Sequence, residues 1–382
     1  MAEATLTGDE LRDSLREFLA AHSALSGAAA ERHTAHGVPP ELWREMAALG
    51  WLGIATPERF GGMGLGLPAL SILYQELGRY LNPLPVMSTQ LAVHAINLAG
   101  NEAQRQAWLP TLASGAGAAS LALPCDGQPL ARCEHGAISG SIDHVLFGDV
   151  VANLLVPVSC GADQLCLAMV PRTDPTVLIE PRASIDLTRS LATVRLHGTP
   201  IPREGLLPLD AASWSALLNH ACLAVACDSF AGASHIFERT VAYLGTRRQF
   251  GRPIGAFQAL KHRAASWKIL LEGVQAMTEQ AASLLASGAP DCSAGASIAK
   301  FSACDAYTAI AGDALQLHGG IGFTWEHECH RFLKRATLNA ALFGNSSQHR
   351  DRVAECAFAS ALGAPNPRRR LLAALPIAST ES

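Results

Sequence analysis

Three long stretches of helical periodicity constrain this chain more than any other feature: roughly Ala211 to Leu244, Gln258 to Leu285 and Cys292 to Leu317. Helices of that length with apolar residues on much of their surface can bury it only against one another, so the C-terminal part is expected to form a helix bundle. The N-terminal third also reads as helices. Asp9 can cap a segment carrying Leu11, Leu15, Phe18 and Leu19. After Pro39-Pro40, the residues Leu42, Met46 and Leu49 repeat the pattern up to Gly50. A third helix is marked by Leu70, Leu73, Tyr74, Leu77 and Leu81. Between these two helical regions the character changes. Short apolar stretches (Leu154 to Val158, Gln164 to Val170, Thr176 to Ile179, Ala192 to Leu196) are separated by Gly, Pro, Asn and Asp. That is the rhythm of a small antiparallel sandwich or barrel. No crossover helices intervene, which argues against a nucleotide-binding parallel sheet. The fold class is therefore α+β, with a helical domain over 1–116, a β-domain over 117–207, a bundle over 208–364 and a tail over 365–382.

Composition narrows the function classes. A chain of 382 residues with 49% apolar and 16% charged residues can bury a large core, with some apolar surface left for an oligomer or supplied simply by Ala. The net charge of −4, with Lys and Arg scattered, offers no footprint for nucleic acid. Met1 to Ser14 is acidic and polar, unlike a secretory signal. The most apolar stretch, Ala216 to Ala233, contains Asn219, His220, Asp228 and Ser229 and reads as a buried helix, not a membrane span of about 20 uninterrupted apolar residues. Ten dispersed cysteines without a CxxC pair suit a reduced, cytoplasmic protein. Among fourteen histidines only Glu326-His327-Glu328-Cys329-His330 crowds metal-ligating types. On a helix His327 and His330 would share a face, but the HExxH order is absent, so a polar contact surface and no metal are expected. The run Gly61-Gly62-Met63-Gly64-Leu65-Gly66 follows no strand and lacks phosphate-loop order, so it reads as a flexible connection.

Two motifs carry the functional signal. The first is Arg247-Arg248-Gln249-Phe250-Gly251-Arg252-Pro253-Ile254, followed by Phe257-Gln258, between two of the long helices. The second, Gln316-Leu317-His318-Gly319-Gly320-Ile321-Gly322-Phe323-Thr324, ends the third. In this order, within a helix–sheet–helix chain, they resemble the two signature regions of the acyl-CoA dehydrogenases. Asp186-Leu187-Thr188-Arg189 and Trp325-Glu326-His327 resemble an actinobacterial branch acting on acyl- and steroid-CoA thioesters. The resemblance implies an FAD shared across a subunit interface and an acyl-CoA substrate that loses an α-proton and a β-hydride. It implies that Arg247, Gln249 and Phe250 touch the adenosine end of a neighbour's FAD, and that Gln316 and Gly320 contact its pyrophosphate arm. A guanidinium fork suits a pyrophosphate, and Gly319 and Gly320 let backbone approach the cofactor. An interface ion pair for Arg247 and a helix C-cap for the glycines are the structural alternatives.

The chain departs from the family pattern at the chemistry. The usual catalytic glutamate, followed by Gly-Thr, is replaced by Phe343 in Leu342-Phe343-Gly344-Asn345-Ser346. The other base position known in the family corresponds to Ala221 or Cys222, neither a carboxylate. His220 is the nearest residue able to act as a base, with a helix residue bordering the core as the structural alternative. The flavin-side loop, usually Thr-Glu-Pro then Gly-Ser-Asp, reads Leu121-Ala122-Leu123-Pro124-Cys125-Asp126-Gly127 and has lost its hydroxyl donors. Three readings follow. The chain is the non-catalytic partner in a heterotetramer with a glutamate-bearing subunit, or a homo-oligomeric dehydrogenase with a displaced base, or a redox-inactive acyl-CoA-binding or scaffold protein. An electron-transfer flavoprotein is the implied electron acceptor.

Overall fold

The computed structural model describes residues 7–22, 40–124, 128, 130–161 and 164–361. The N-terminal region contains α1 (Gly8–Ala21), α2 (Pro40–Ala48), α3 (Gly66–Arg79), α4 (Val86–Ala99) and α5 (Glu102–Ala113). The cap of helix α1 is Thr7, two residues before the expected Asp9. Thr7 Oγ1 accepts from the Glu10 amide while the Glu10 carboxylate takes the Thr7 amide, a reciprocal capping box that leaves Asp9 in the first turn. Its Leu11, Leu15 and Leu19 are buried, and Arg12 and Arg16 reach Glu76 of α3 at 3.2 and 2.8 Å. The glycine-rich run is not a flexible connection. Its amides at Met63, Gly64 and Leu65 donate to the carbonyls of Gly53, Thr56 and Ile54, and a Cβ on Gly62 would lie 2.1 Å from the Thr56 carbonyl.

Eight strands form the middle layer: β1 (Ala119–Leu121), β2 (Ala131–Glu134), β3 (Ala137–Leu146), β4 (Asn153–Ser159), β5 (Leu165–Pro171), β6 (Val177–Arg182), β7 (Leu191–Pro200) and β8 (Leu206–Leu209). Their order is β6-β7-β3-β2-β4-β5-β8, with β1 beside β4. Most pairings are antiparallel, as the turn rhythm predicts, but β1 and β2 each pair with β4 in parallel, so the sheet is mixed. The chain closes those parallel pairs by passing through intervening strands, which is why no crossover helix marked them in the sequence.

The C-terminal bundle consists of α6 (Ala211–Thr246), α7 (Gln258–Ser287), α8 (Cys292–His318), α9 (Cys329–Ala341) and α10 (Ser346–Ala361). Helix α6 is long and apolar, and its most apolar window is 83% buried inside the protein. Two glycines set its close crossings. A Cβ on Gly78 would lie 2.4 Å from the Asp228 carbonyl, and one on Gly232 would lie 2.5 Å from the Tyr307 hydroxyl.

A buried charge network ties the layers together. Arg335 of α9 is fully buried and pairs with Asp186 at 2.5 Å and Asp228 at 3.1 Å, while also donating to Thr188. Arg189 pairs with Asp228 at 2.7 Å and donates to Asn339 at 2.6 Å. Burial alone would raise the Asp186 carboxyl, but Arg335 and Arg189 hold it below its ordinary range. The Asp186–Arg189 segment seen in the sequence thus joins the β6–β7 connection to α6 and α9.

Candidate functional site

Helix α6 ends where the Arg247 amide donates to Tyr243, and the chain turns into a hairpin of β9 (Arg248–Gln249) and β10 (Arg252–Pro253). Its two-residue tip is Phe250 at φ 51° and Gly251 at φ 78°, the positive pair a tight hairpin requires. Glycine suits such a position, but a bulky aromatic is strained there. Phe250 is also 90% exposed, with an edge contact to Phe257 at 6.0 Å. The chain's own packing therefore gives little return for this conformation. Arg247 and Gln249 are exposed on the same hairpin.

The second motif lies at the same end of the bundle. The Tyr243 ring stacks on His318 at 4.4 Å, joining the last turns of α6 and α8. His318 is buried, with Nδ1 2.8 Å from the Ala314 carbonyl, whereas Gln316 is exposed. Gly319 at φ 65° caps α8, its amide donating to Gln316, so the C-cap role is real. A Cβ on Gly319 or Gly320 would meet nothing within 4 Å, so no neighbour among the described residues demands glycine at 320. Ile321, Phe323 and Trp325 follow, 51%, 67% and 54% exposed. The open backbone, an exposed guanidinium and a strip of bare apolar side chains suit an anionic cofactor held against a second subunit.

The base positions form a different environment. Ala221 and Cys222 are fully buried. The Cys222 thiol lies 3.9 Å from His349 Nε2, which is 3.0 Å from the Phe343 carbonyl, while His349 Nδ1 is 3.3 Å from Ser297. Fully buried Lys300 donates to the carbonyls of Ala340 and Gly344, closing the turn at Phe343. Arg352 donates to Asn219 at 2.7 Å and to Ser215 and Ser297 at 3.3 Å. None of these contacts involves a carboxylate. Burial raises the Cys222 thiol and lowers His349 to about 4, so both are neutral near neutral pH. Half-buried Phe343 sits at φ 56°. His220 faces the other way, toward α3 and α4. Its Nε2 is 3.1 Å from the Tyr74 hydroxyl, its ring is 4.3 Å from His94, and burial holds it well below its ordinary value. In the flavin-side loop Leu121, Ala122 and Leu123 are buried, and Cys125, Asp126 and Gly127 lie outside the described residues.

The cluster of Lys300, His349, Arg352 and Ser297 escaped the sequence reading. Its one signal is a lysine inside the otherwise uncharged run Ala296 to Ala303. His327 and His330 do not share a helix face, because α9 begins only at Cys329. Instead His318, His327 and Cys329 bring their potential ligand atoms within 4.8 Å of one another. Burial pushes the Cys329 thiol up to about 12, and both His318 Nδ1 and His327 Nδ1 already make backbone hydrogen bonds.

Comparison with known proteins agrees with this geometry. Residues 5–116 match the acyl-CoA dehydrogenase N-terminal domain and residues 211–358 the acyl-CoA dehydrogenase C-terminal domain. The chain belongs to the acyl-CoA dehydrogenase family, whose cofactor is FAD. It is 31% identical to the acyl-CoA dehydrogenase IpdE2 of Mycolicibacterium smegmatis over 88% of this chain and 95% of that one. Among solved structures it resembles the Tcur3481-Tcur3483 steroid ACAD, G363A variant, at 29% identity and a TM-score of 0.84, covering 93% of this chain and 98% of that one. It also resembles the ChsE4-ChsE5 complex from Mycobacterium tuberculosis at 25% identity and a TM-score of 0.83, covering 92% and 97%.

Proposed function

We propose that this chain is the non-catalytic partner subunit of a heteromeric acyl-CoA dehydrogenase, completing the FAD site of a second, glutamate-bearing subunit. The observation that carries the reading is the contrast between two surfaces of one bundle. At the base positions Ala221, Cys222 and Phe343, no carboxylate enters the contacts and a buried lysine–histidine–arginine cluster fills the surroundings. At the hairpin end, Arg247, Gln249, Phe250, Gln316 and Gly320 stand exposed, and a Cβ on Gly320 would meet nothing within 4 Å. The two-chain names of the Tcur3481-Tcur3483 and ChsE4-ChsE5 neighbours support the heteromeric arrangement.

In this reading FAD, when bound, supplies the acceptor for the acyl β-hydride. The present chain only binds and orients. Arg247 contributes a permanent cation and a planar hydrogen-bonding fork at the adenosine end. Gln249 and Phe250 extend that contact, and Gln316 with the open backbone of Gly319 and Gly320 lies along the pyrophosphate. Phe343 has no atom that takes up a proton, so abstraction of the α-proton belongs to the partner. An electron-transfer flavoprotein would then receive the electrons. The test is Arg247→Ala in the co-purified complex. The account expects flavin content per complex to fall while the two chains still associate. Unchanged flavin content would instead favour a scaffold role.

A further inference from the structure

On the side of α6 away from Cys222, a cavity of about 640 Å³ opens between α3, α4, α6 and the end of α7. That is within the range of pockets that hold small molecules. Its apolar walls include Leu67, Val93 and Leu285. Two buried side chains lining it have polar atoms without a partner among the described residues. His220 is 4% exposed, with Nε2 engaged by Tyr74 and Nδ1 unpaired. Gln90 is 1% exposed; its amide nitrogen donates to the Leu52 carbonyl at 2.6 Å, and its Oε1 is unpaired. Buried polar groups are almost always satisfied, so two orphans lining one cavity point to a ligand. Arg59 and Arg105 line it too. They share one carboxylate, Glu102, at 3.6 and 3.9 Å, leaving an excess positive charge, and Arg105 Nε is unpaired. His94 beside His220 adds no charge, since burial lowers it to about 4.

We infer that this cavity binds a small amphipathic hydroxy-carboxylate. Its hydroxyl donates to Gln90 Oε1 and meets His220 Nδ1, its apolar body lies against Leu67, Val93 and Leu285, and its carboxylate is held by Arg59 and Arg105. The inference does not rest on the partner-subunit reading, because the cavity shares no residue with the hairpin end.

The probe is 6-hydroxy-2-naphthoate, titrated by its fluorescence into the purified full chain, alone or in complex. Saturable binding at one site per chain is expected. Removing either polar end of the probe, with 2-naphthoate or 2-naphthol, should weaken binding about tenfold, the loss of one good hydrogen-bonded or charged contact. Arg105→Gln should weaken 6-hydroxy-2-naphthoate by a similar factor and leave 2-naphthol unaffected. Ala286→Trp places a bulky ring at an exposed lining position and should abolish binding with an unchanged circular dichroism spectrum. Equal affinity for all three probes, non-saturable binding, or full binding by either variant would overturn the assignment. None of these outcomes bears on flavin content.

Discussion

Replacing Arg335 by Met tests how the layers are held together. The side chain is fully buried, and Met fills similar volume without charge. In the native protein Asp186 receives a cation from Arg335 at 2.5 Å, and its other hydrogen-bond donors are the amide and hydroxyl of Thr188 at 2.9 and 2.6 Å. Asp228 loses one partner but keeps Arg189 and Asn339, each at 2.7 Å. The variant therefore leaves one buried carboxylate without its direct counter-ion, a defect that costs about 3–5 kcal/mol. For a cooperative unit of roughly 150–250 residues, each kcal/mol moves the midpoint by about 2–4 °C, so the melting temperature should fall by about 6–20 °C. The pH dependence identifies the cause. Native Asp186 has its carboxyl held low, so its contribution is present above the unfolded-state value near 4 and is lost as pH falls through the lower folded value. Without Arg335 the buried carboxyl rises and takes up a proton in the folded state, so the deficit should narrow between pH 7 and pH 4. Asp186→Asn added to Arg335→Met should recover part of the loss at pH 7. Calorimetric or circular dichroism melts read all three. A deficit under about 1 kcal/mol, or one that ignores pH and the second substitution, would refute the argument that these charges depend on one another.

Three further outcomes follow from the same geometry. Gly320→Val should leave the melting temperature within about 1 °C, because nothing lies within 4 Å of the added Cβ, while flavin content of the complex drops severalfold; equal retention of flavin by thermal and absorbance assays would remove Gly320 from the cofactor surface. Phe343→Glu should give no acyl-CoA-dependent flavin bleaching in the isolated chain, since Cys222, Lys300 and His349 still fill the base region, and turnover from that single change would show the pocket to be intact. His349 and His94 are both depressed to about 4, so their neutral forms favour the folded state fully above pH 6.5, and stability should be lost as pH falls from 6.5 through 4. His349→Gln should flatten that loss in melts taken across the window; an unchanged slope would exclude this histidine as its source.

Much of the architecture is legible in the sequence because it rests on local patterning. The three long helices appear within a few residues of their observed ends, since apolar residues recur through each of them, and turn residues punctuate the strands. Thr7 and Asp9 both suit the cap role by residue type, and only the reciprocal bonds between Thr7 and Glu10 decide for Thr7. The parallel partners of β4 escaped because strand order is a long-range property that alternation does not encode. The glycine run looked loose in sequence, yet Gly62 is required by the carbonyl of Thr56, a contact no local pattern reveals. The site divides in the same way. The motifs at Arg247 and Gly319 are contiguous and were found. The filling of the base region by Lys300, Ser297, His349 and Arg352 brings together separate helices, and the cavity at His220 depends on atoms left unpaired in three dimensions.

The most direct test of the central claim is the visible absorption spectrum of the chain purified alone and after co-expression with a glutamate-bearing dehydrogenase chain. The account predicts little flavin in the isolated chain and, in the complex, about one FAD per pair of chains, bleached by an acyl-CoA only when the partner's glutamate is present. A full flavin band in the isolated chain, bleached by an acyl-CoA without any partner, would contradict it.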